Sequence, residues 1–336
     1  MLKPIDFVAE ISANHLGSLE RAHKLVEAAA TAGATSVKFQ TYKADTMTLN
    51  LEKFHVSAGH KLWGGRTLYS LYEEAHMPWE WHEELFEHCR EKGVVPFSTP
   101  FDISALEFLE KLKVEKYKIS SLETSDHRLI RAVAETGKPL IVSTGATELL
   151  EIEELVRIID KAQNEKLTLL VCTSSYPAEA SDSHIKRMLF LKKEFGCAVG
   201  LSDHTLGVGV SIAAIALGAE VIEKHLTIFR TDGGPDGAFS MEPNEFAQLV
   251  EEGNKARRSL GEEKWIVLKS ENESRRLRRS LFIVKDVKKG EIVSFENVKA
   301  LRPGDGMHPR FLERIVGKKF KSNYECGTPL EIDHIN

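Results

Sequence analysis

The chain reads as a (β/α)8 TIM barrel over residues 1–265, a charged linker at 266–280 and a small β-rich domain at 281–336. Three observations carry that reading. Eight short runs rich in β-branched residues alternate with helical stretches along the first 265 residues, the alternation that builds a parallel sheet with crossover helices. LSDHT and IEKHL place His204 and His225 21 residues apart, each just after an apolar run. Between them GVGVSIAAIALG is long enough to carry the chain from one parallel strand to the next. After Leu260 the helical texture gives way to charged residues and then to short strands and turns.

The strands are expected at Asp6–Ile11, Ser36–Thr41, Val94–Thr99, Glu115–Ser120, Pro139–Thr144, Leu167–Thr173, Ala198–Ser202 and Glu220–His225. Helical spacing covers Leu19–Ala32, Pro78–Lys92, Ile103–Lys111, Leu129–Thr136, Glu148–Gln163, Gly207–Leu217 and Glu242–Leu260. Gly33, Gly93, Gly137 and Gly218 follow four of these stretches, where a helix ends most readily. One connection is too long to be a plain loop: Tyr42 to Met77, with Trp63, Tyr69 and Tyr72, reads as a partly folded lid or an aromatic cover over the barrel mouth. In the tail, Lys289-Gly290 and Cys326-Gly327 mark turns between short strands. A domain of about 60 residues is only marginally stable alone, so this one is expected to dock on something.

Composition narrows the partners. A hydrophobic fraction of 42% fills a sizeable core, and 45 basic against 50 acidic residues leave no polybasic stripe, which argues against nucleic acid. No apolar run reaches membrane-spanning length and the first residues lack a signal-peptide pattern, so a cytoplasmic protein without a membrane partner is expected. Cys89, Cys172, Cys197 and Cys326 show no metal-binding spacing and read as reduced thiols, with Cys172 most simply a small apolar filler.

Parallel barrels keep their chemistry at the carboxyl ends of the strands. Two imidazoles at adjacent strand ends there make His204 and His225 candidate ligands for a divalent metal. Side-chain alternation puts Ser202 on the face of His204, Glu223 on that of His225, and Lys38 on that of Gln40. Other strand ends bring Glu10, Ser98-Thr99, Lys118 with Ser120, Ser121 and Glu123, Ser143-Thr144-Gly145, and Thr173-Ser174. Lysines and hydroxyls converging on one mouth suit a phosphorylated anion. A lysine on a buried strand is costly unless paired, so Lys38 and Lys118 point to an anion or to an ion pair with Glu10 or Glu123.

Phosphate-loop, dinucleotide-binding and HExxH motifs are absent. His82 and His88, six apart, share no helix face and read as exposed surface. A barrel metallohydrolase would want an HxH pair on the first strand, where Ala9-Glu10-Ile11 stands instead. A carbohydrate- or ice-binding module would account for the tail and leave the barrel mouth unexplained.

In order along the chain, VAEISANHLGSLERA, VKFQTY, FSTPFD, YKISSLE, IVSTGA, LVCTSSYPA, VGLSDHTLG, VIEKHLT and SMEP resemble the sialic acid synthase family, and RRSLFIVKDVKKGEIVSFENVKALRPGDG resembles its antifreeze-like (SAF) domain. TYKADTMTL, LWGGRTLYSLYEEAHMPWEWH and RTDGGPDGAFSMEP look most like the branch that builds pseudaminic acid, with Ala238-Phe239 suited to a deoxygenated sugar. The chain departs from the family pattern at Leu16 in NHLGS, so no sugar contact is carried over to that position.

The resemblance implies condensation of phosphoenolpyruvate with the open-chain aldehyde of a 2,4-diacetamido-2,4,6-trideoxy-altrose. N-acetylmannosamine or the legionaminate precursor is the alternative sugar. It further implies a manganese or magnesium ion on His204 and His225 and phosphoenolpyruvate contacts from Lys38, Thr99, Lys118, Ser121, Ser143, Ser174 and Ser202. The sugar side falls to Glu10, Gln40, Glu123 and Asp236. Glu10, Lys38, Glu123, His204 and His225 are the catalytic candidates. The family also implies a domain-swapped homodimer in which Arg302, in the RPGDG turn, reaches the sugar's acyl group from the partner subunit.

Overall fold

Eight strands pair in chain order and close on themselves: β1 (Asp6–Glu10), β2 (Ser36–Thr41), β3 (Val95–Pro100), β4 (Tyr117–Ile119), β5 (Leu140–Ser143), β6 (Leu167–Cys172), β7 (Ala198–Ser202) and β8 (Val221–His225). All eight ladders are parallel, and β8 returns to pair with β1. The computed structural model describes residues 3–60 and 62–336. Met1, Leu2 and Lys61, which fall within the 1–265 span and the Tyr42–Met77 connection, lie outside the described residues. β4 is shorter than its sequence run, and β3 is shifted by one residue.

Strand alternation divides the side chains between two cores. Phe7, Ala9, Val37, Phe39, Ile119, Val142 and Leu169 face outward and pack against the helices. Val8, Phe97, Ile141, Leu170 and Val221 form a separate apolar plug inside the barrel. Two residues further along the same five strands stand Glu10, Thr99, Ser143, Cys172 and Glu223, so the layer above the plug is polar.

The helices are α1 (Leu19–Thr31), short α2 (Ala44–Met47) and α3 (Leu68–Ala75) in the long second connection, then α4 (His82–Glu91), α5 (Ile103–Lys111), α6 (His127–Glu135), α7 (Leu149–Lys161), α8 (Arg187–Phe195), α9 (Gly209–Ala216) and α10 (Pro243–Ser259). Their starts follow from local chemistry. Ser18, Asp102 and Asp126 accept hydrogen bonds from the first free N–H groups of α1, α5 and α6. Pro243 opens α10 inside a capping box made by Glu242 and Glu245. α8 escaped the sequence reading because only Met188 and Leu191 of its nine residues are buried, which leaves almost no apolar stripe to detect. His82 also departs from expectation. It is fully buried, its Nε2 2.8 Å from Thr41 Oγ1, packed among Phe39, Phe86 and Phe108.

A second compact unit begins at Glu262, against an expected barrel boundary at 265. Within it, the stretch read as linker holds the one-turn helix α11 (Asn272–Arg276) and is exposed up to Arg279. β9 (Ser280–Ile283) pairs antiparallel with β10 (Val298–Leu301), and the short helix α12 (Leu312–Ile315) follows. Its core is Leu281, Ile283, Val287, Val293, Val298, Ile315, Phe320, Leu330 and Ile335. The unit is less β-rich than its sequence suggests, since its other pairings, such as Val287 with Tyr324 and Phe320 with Ile335, are single bridges. No helix of the described residues is long and apolar enough to cross a membrane.

Gly200 tests how tightly the barrel is closed. A Cβ there would meet the Val221 carbonyl oxygen at 2.2 Å and Leu170 Cδ2 at 2.8 Å. Backbone of a paired strand cannot retreat, so Gly200→Ala is expected to destabilise the protein by at least about 1–3 kcal/mol, read as a lower urea midpoint. An unchanged midpoint would show that the β7–β8 seam can open at no cost.

Candidate active site

Above the apolar plug, at the carboxyl ends of the strands, lies a cavity of about 280 Å³. Strand register decides who meets whom in it. β1 sits between β2 and β8 with Glu10 level with Lys38 on one side and His225 on the other. Ser202 is level with Cys172 and with Glu223. A larger cavity of about 440 Å³ lies apart from this site, against Lys186, Arg187 and Gly209, and contains none of these residues.

Glu223 is the centre of the polar layer, and the sequence reading assigned it no role. Its Oε1 accepts hydrogen bonds from Lys118 Nζ at 3.1 Å and Ser202 Oγ at 3.1 Å, and lies 3.2 Å from Lys38 Nζ. Lys38 Nζ also lies 3.0 Å from Glu10 Oε2. Gln40 Nε2 donates to Glu10 Oε1 and to Ser12 Oγ, both at 2.9 Å. The ion pair expected for Lys38 with Glu10 is therefore present. Lys118 pairs with Glu223 instead of Glu123.

Burial pushes the Glu223 carboxyl up, but Lys118 and Lys38 more than reverse this and hold it well below the usual range. Burial moves Glu10 the other way, toward its neutral form, against the pull of Lys38. Lys118 is lowered by burial and by Lys38 beside it, with Glu223 opposing. Glu10 and Glu223 thus stand against Lys38 and Lys118 at the floor of the cavity, with Glu223 held ionised between the two lysines. The hydroxyls of Ser143 and Ser174 are buried without a partner, while Ser121 Oγ accepts from Gly145 N at 3.0 Å. Gly145 permits this approach, since a Cβ there would lie 2.4 Å from Ser174 Oγ. Lysines beside hydroxyls that make no hydrogen bond to protein are chemistry suited to an anion. Thr99 does not line the cavity, although its hydroxyl is buried and unpartnered in the same layer.

On the other side stand the imidazoles, ring centroids 5.4 Å apart. His204 Nδ1–H donates to the Thr173 carbonyl at 2.9 Å, which leaves Nε2 free of that bond. His225 Nδ1 is buried without a hydrogen bond, 3.9 Å from Asp236 Oδ2. Burial, together with His204 and Lys38, depresses His225 far below its usual value, so it is a neutral imidazole with a lone pair to offer. His204 and His225 are two imidazoles that could serve a divalent cation, although, with burial opposing, Cys172 beside His204 raises that imidazole toward its charged form and no three-donor cluster at ligand spacing stands among the described residues. Asp236 comes from the loop after β8, fixed by hydrogen bonds from Ser12 Oγ and from Ala13 N at 3.3 Å, and burial raises its carboxyl.

Loop residues outside any strand pattern complete the walls. Tyr176 leans over His204 with centroids 4.4 Å apart, and Trp63 donates from Nε1 to the Pro235 carbonyl at 2.8 Å. Met47, Val56, Leu68, Leu71, Tyr72 and Phe101 add apolar and aromatic side chains to the cavity lining. Three expectations change here. Ala238 is exposed and Phe239 is buried against the His225 ring at 4.9 Å, so neither lines the cavity and only Phe239 packs on the histidines. Tyr69 lies outside this cavity, with Lys43 and Glu73. Cys172 is more than filler, since its Sγ lies 3.9 Å from His204 Nδ1 and, with burial opposing, His204, Ser121 and Lys118 bring the thiol down to about 7. Arg302 is exposed at the end of β10 in the second unit.

The NeuB family model matches residues 25–265, and the SAF domain model matches residues 278–336. The pseudaminic acid synthase of Campylobacter jejuni strain 81-176 is 41% identical over 331 residues, 98% of this chain and 96% of the relative. That of Helicobacter pylori is 41% identical over 336 residues, 100% and 99% of the two chains. Among solved structures, N-acetylneuraminic acid synthetase from Leptospira borgpetersenii, crystallised with citrate, superposes with a TM-score of 0.73 at 33% identity, covering 81% of this chain and 90% of that one.

Glu123, at the cavity wall and accepting from Ser120 Oγ, has its carboxyl raised by burial to about 7. The folded protein keeps this proton up to about pH 7 while the unfolded chain releases it near 4.5, so the group costs stability as pH rises through that window. Glu123→Gln is expected to stabilise the protein at pH 8 by about 1–2 kcal/mol, discounted for partial exposure, and to lose that gain at pH 4.5. Equal gains at both pH values in urea unfolding would rule out the buried charge as their source.

Proposed function

The chain belongs to the NeuB family and carries a C-terminal SAF domain, and from that premise we propose that it is a cytoplasmic transferase condensing phosphoenolpyruvate with 2,4-diacetamido-2,4,6-trideoxy-altrose to give pseudaminic acid and phosphate. The observation that carries the reading is one mouth holding both Lys38 and Lys118 for an anion and two imidazoles for a cation.

Lys38, Lys118, Ser121, Ser143, Ser174 and Ser202 bind the phosphate and carboxylate of phosphoenolpyruvate, with Thr99 beneath them. The hydroxyls of Ser143 and Ser174, which make no hydrogen bond to protein, are free to donate to that anion. His204 and His225 would hold manganese or magnesium, which when bound polarises the aldehyde oxygen toward attack by C3 of phosphoenolpyruvate. Gln40, Glu10 and Asp236 orient the open-chain sugar. Glu123, poised near neutral pH, takes the proton of the water that adds to C2 before the C2–O bond to phosphate breaks.

The apolar side of Met47, Val56, Leu68, Leu71 and Phe101 supports a sugar lacking a hydroxyl. A wall of this kind discriminates by roughly 1–3 kcal/mol, about 10- to 200-fold in kcat/KM. Phosphate release is to be measured with the trideoxy sugar, the legionaminate precursor and N-acetylmannosamine, with and without a chelator. The expected result is preference for the trideoxy sugar, loss of turnover on chelation and recovery with manganese. Equal turnover of the three sugars would overturn the sugar assignment, and no phosphate release from any of them with manganese present would overturn the reaction.

A homodimer with sites completed in trans is part of the proposal. Leu16, Leu122, Leu149, Leu206 and Phe229, all large and exposed, come in the connections that follow five different strands, Leu149 at the start of α7. Trp265, Ile266, Val267 and Leu268 form a continuous exposed apolar run in the second unit. Such surface is costly in water, and a second copy carrying Arg302 is the cover the family supplies. Inactive Arg302→Ala and His204→Ala subunits, mixed and allowed to exchange, are expected to regain activity through the one intact site of the mixed dimer. Exchange without recovery would rule out completion in trans.

A further inference from the structure

The residues just before the two histidines face away from the cavity and meet behind it. Asp203 precedes His204 and Lys224 precedes His225, and strand alternation turns both outward. There Lys224 Nζ donates to Asp203 Oδ2 at 3.0 Å, the Thr205 carbonyl at 2.6 Å and the Gly207 carbonyl at 3.1 Å. Asp203 Oδ1 accepts from Thr205 N at 2.9 Å and Thr205 Oγ1 at 2.7 Å, and its Oδ2 accepts from Ser211 Oγ at 2.6 Å. Both side chains are 1% exposed, and every donor and acceptor of the pair is used.

A buried ion pair adds little net stability over apolar residues of the same size, so stability is a weak reason for it to be here. Its bonds are directed instead to the loop that carries His204. They tie the residues on both sides of His204, the strand end bearing His225 and the first turn of α9 into one fully satisfied network. Networks of this kind fix one geometry. We propose that Asp203 and Lys224 are positioning residues that set the separation of the two imidazoles, an inference that rests on His204 and His225 being the cation ligands.

The test uses full-length Asp203→Asn/Lys224→Met, which removes both charges and leaves none uncompensated, and Ser211→Ala, which removes a single neutral donor and keeps the ion pair. Manganese binding is followed by electron paramagnetic resonance on protein without substrates, beside thermal unfolding, kcat and KM for phosphoenolpyruvate. The folded double variant is expected to bind manganese at least tenfold more weakly and to lose kcat with KM nearly unchanged. Ser211→Ala is expected to bind it about two- to fivefold more weakly at an unchanged melting temperature. Lys224→Arg, which keeps a cation opposite Asp203, is expected to retain most of the affinity. Wild-type manganese affinity in the folded double variant overturns the inference. If the double variant does not fold, wild-type affinity in Ser211→Ala does so. A His204→Ala protein that binds manganese like the wild type overturns the ligand assignment and the inference together.

Discussion

The barrel's polar layer depends on the apolar plug beneath it. Val8, Phe97, Ile141, Leu170 and Val221 fill the interior at one level, and strand alternation then delivers Glu10, Thr99, Ser143, Cys172 and Glu223 two residues higher. Charges at that level meet apolar side chains below and the cavity above. They must satisfy one another, and the parallel register determines which ones meet. Gly200 belongs to the same constraint, because β7 approaches Val221 and Leu170 more closely than any side chain would allow.

Electrostatics follow from that crowding. Glu223 alone takes two ammonium groups and a hydroxyl on a single oxygen, while its other oxygen is left without a hydrogen bond. Pairing makes the lysines tolerable in the interior, and the incomplete pairing keeps them useful. An arriving anion finds cations already held in place. The hydroxyls of Ser143 and Ser174 make no hydrogen bond to protein, so they can turn toward an arriving acceptor without breaking one.

What could be read from the sequence was what strand and helix periodicity encode. The eight strands, the two histidines at adjacent strand ends and the shared face of Lys38 and Gln40 follow from a period of two. Glu223 carried the same signal, two residues before His225, and its role went unread because nothing local says that two lysines from β2 and β4 converge on it. Where periodicity is silent the reading failed. Tyr176 reaches the site from a loop that no pattern marks, whereas Trp63, expected in the aromatic cover over the mouth, does line the cavity, held by a carbonyl 172 positions away. Ala238-Phe239, expected through the family resemblance to suit a deoxygenated sugar, gives no residue to the cavity lining, and packing puts Phe239 beside His225. α8 buries too few residues to announce itself, and His82 is hidden by tertiary packing that its own helix pattern does not foretell.

The closing seam between β1 and β8 shows how a loop residue can be held as firmly as one on a strand. Asn14 Nδ2 donates to the Leu226 carbonyl at 2.9 Å and to Ser240 Oγ at 2.8 Å, and Ser240 Oγ in turn donates to the Asp236 carbonyl at 2.7 Å. Arg21 adds a hydrogen bond to the Asn14 carbonyl at 2.7 Å and an ion pair to Asp232 at 2.7 Å. Asp236 is thus fixed through the loop after β1, although it is more than two hundred residues away from it. These contacts lie above the paired strands and outside the apolar cores. Loosening them would move Asp236 relative to His225 and Gln40 well before it opened the barrel, so the geometry of the mouth is more fragile than the fold that presents it.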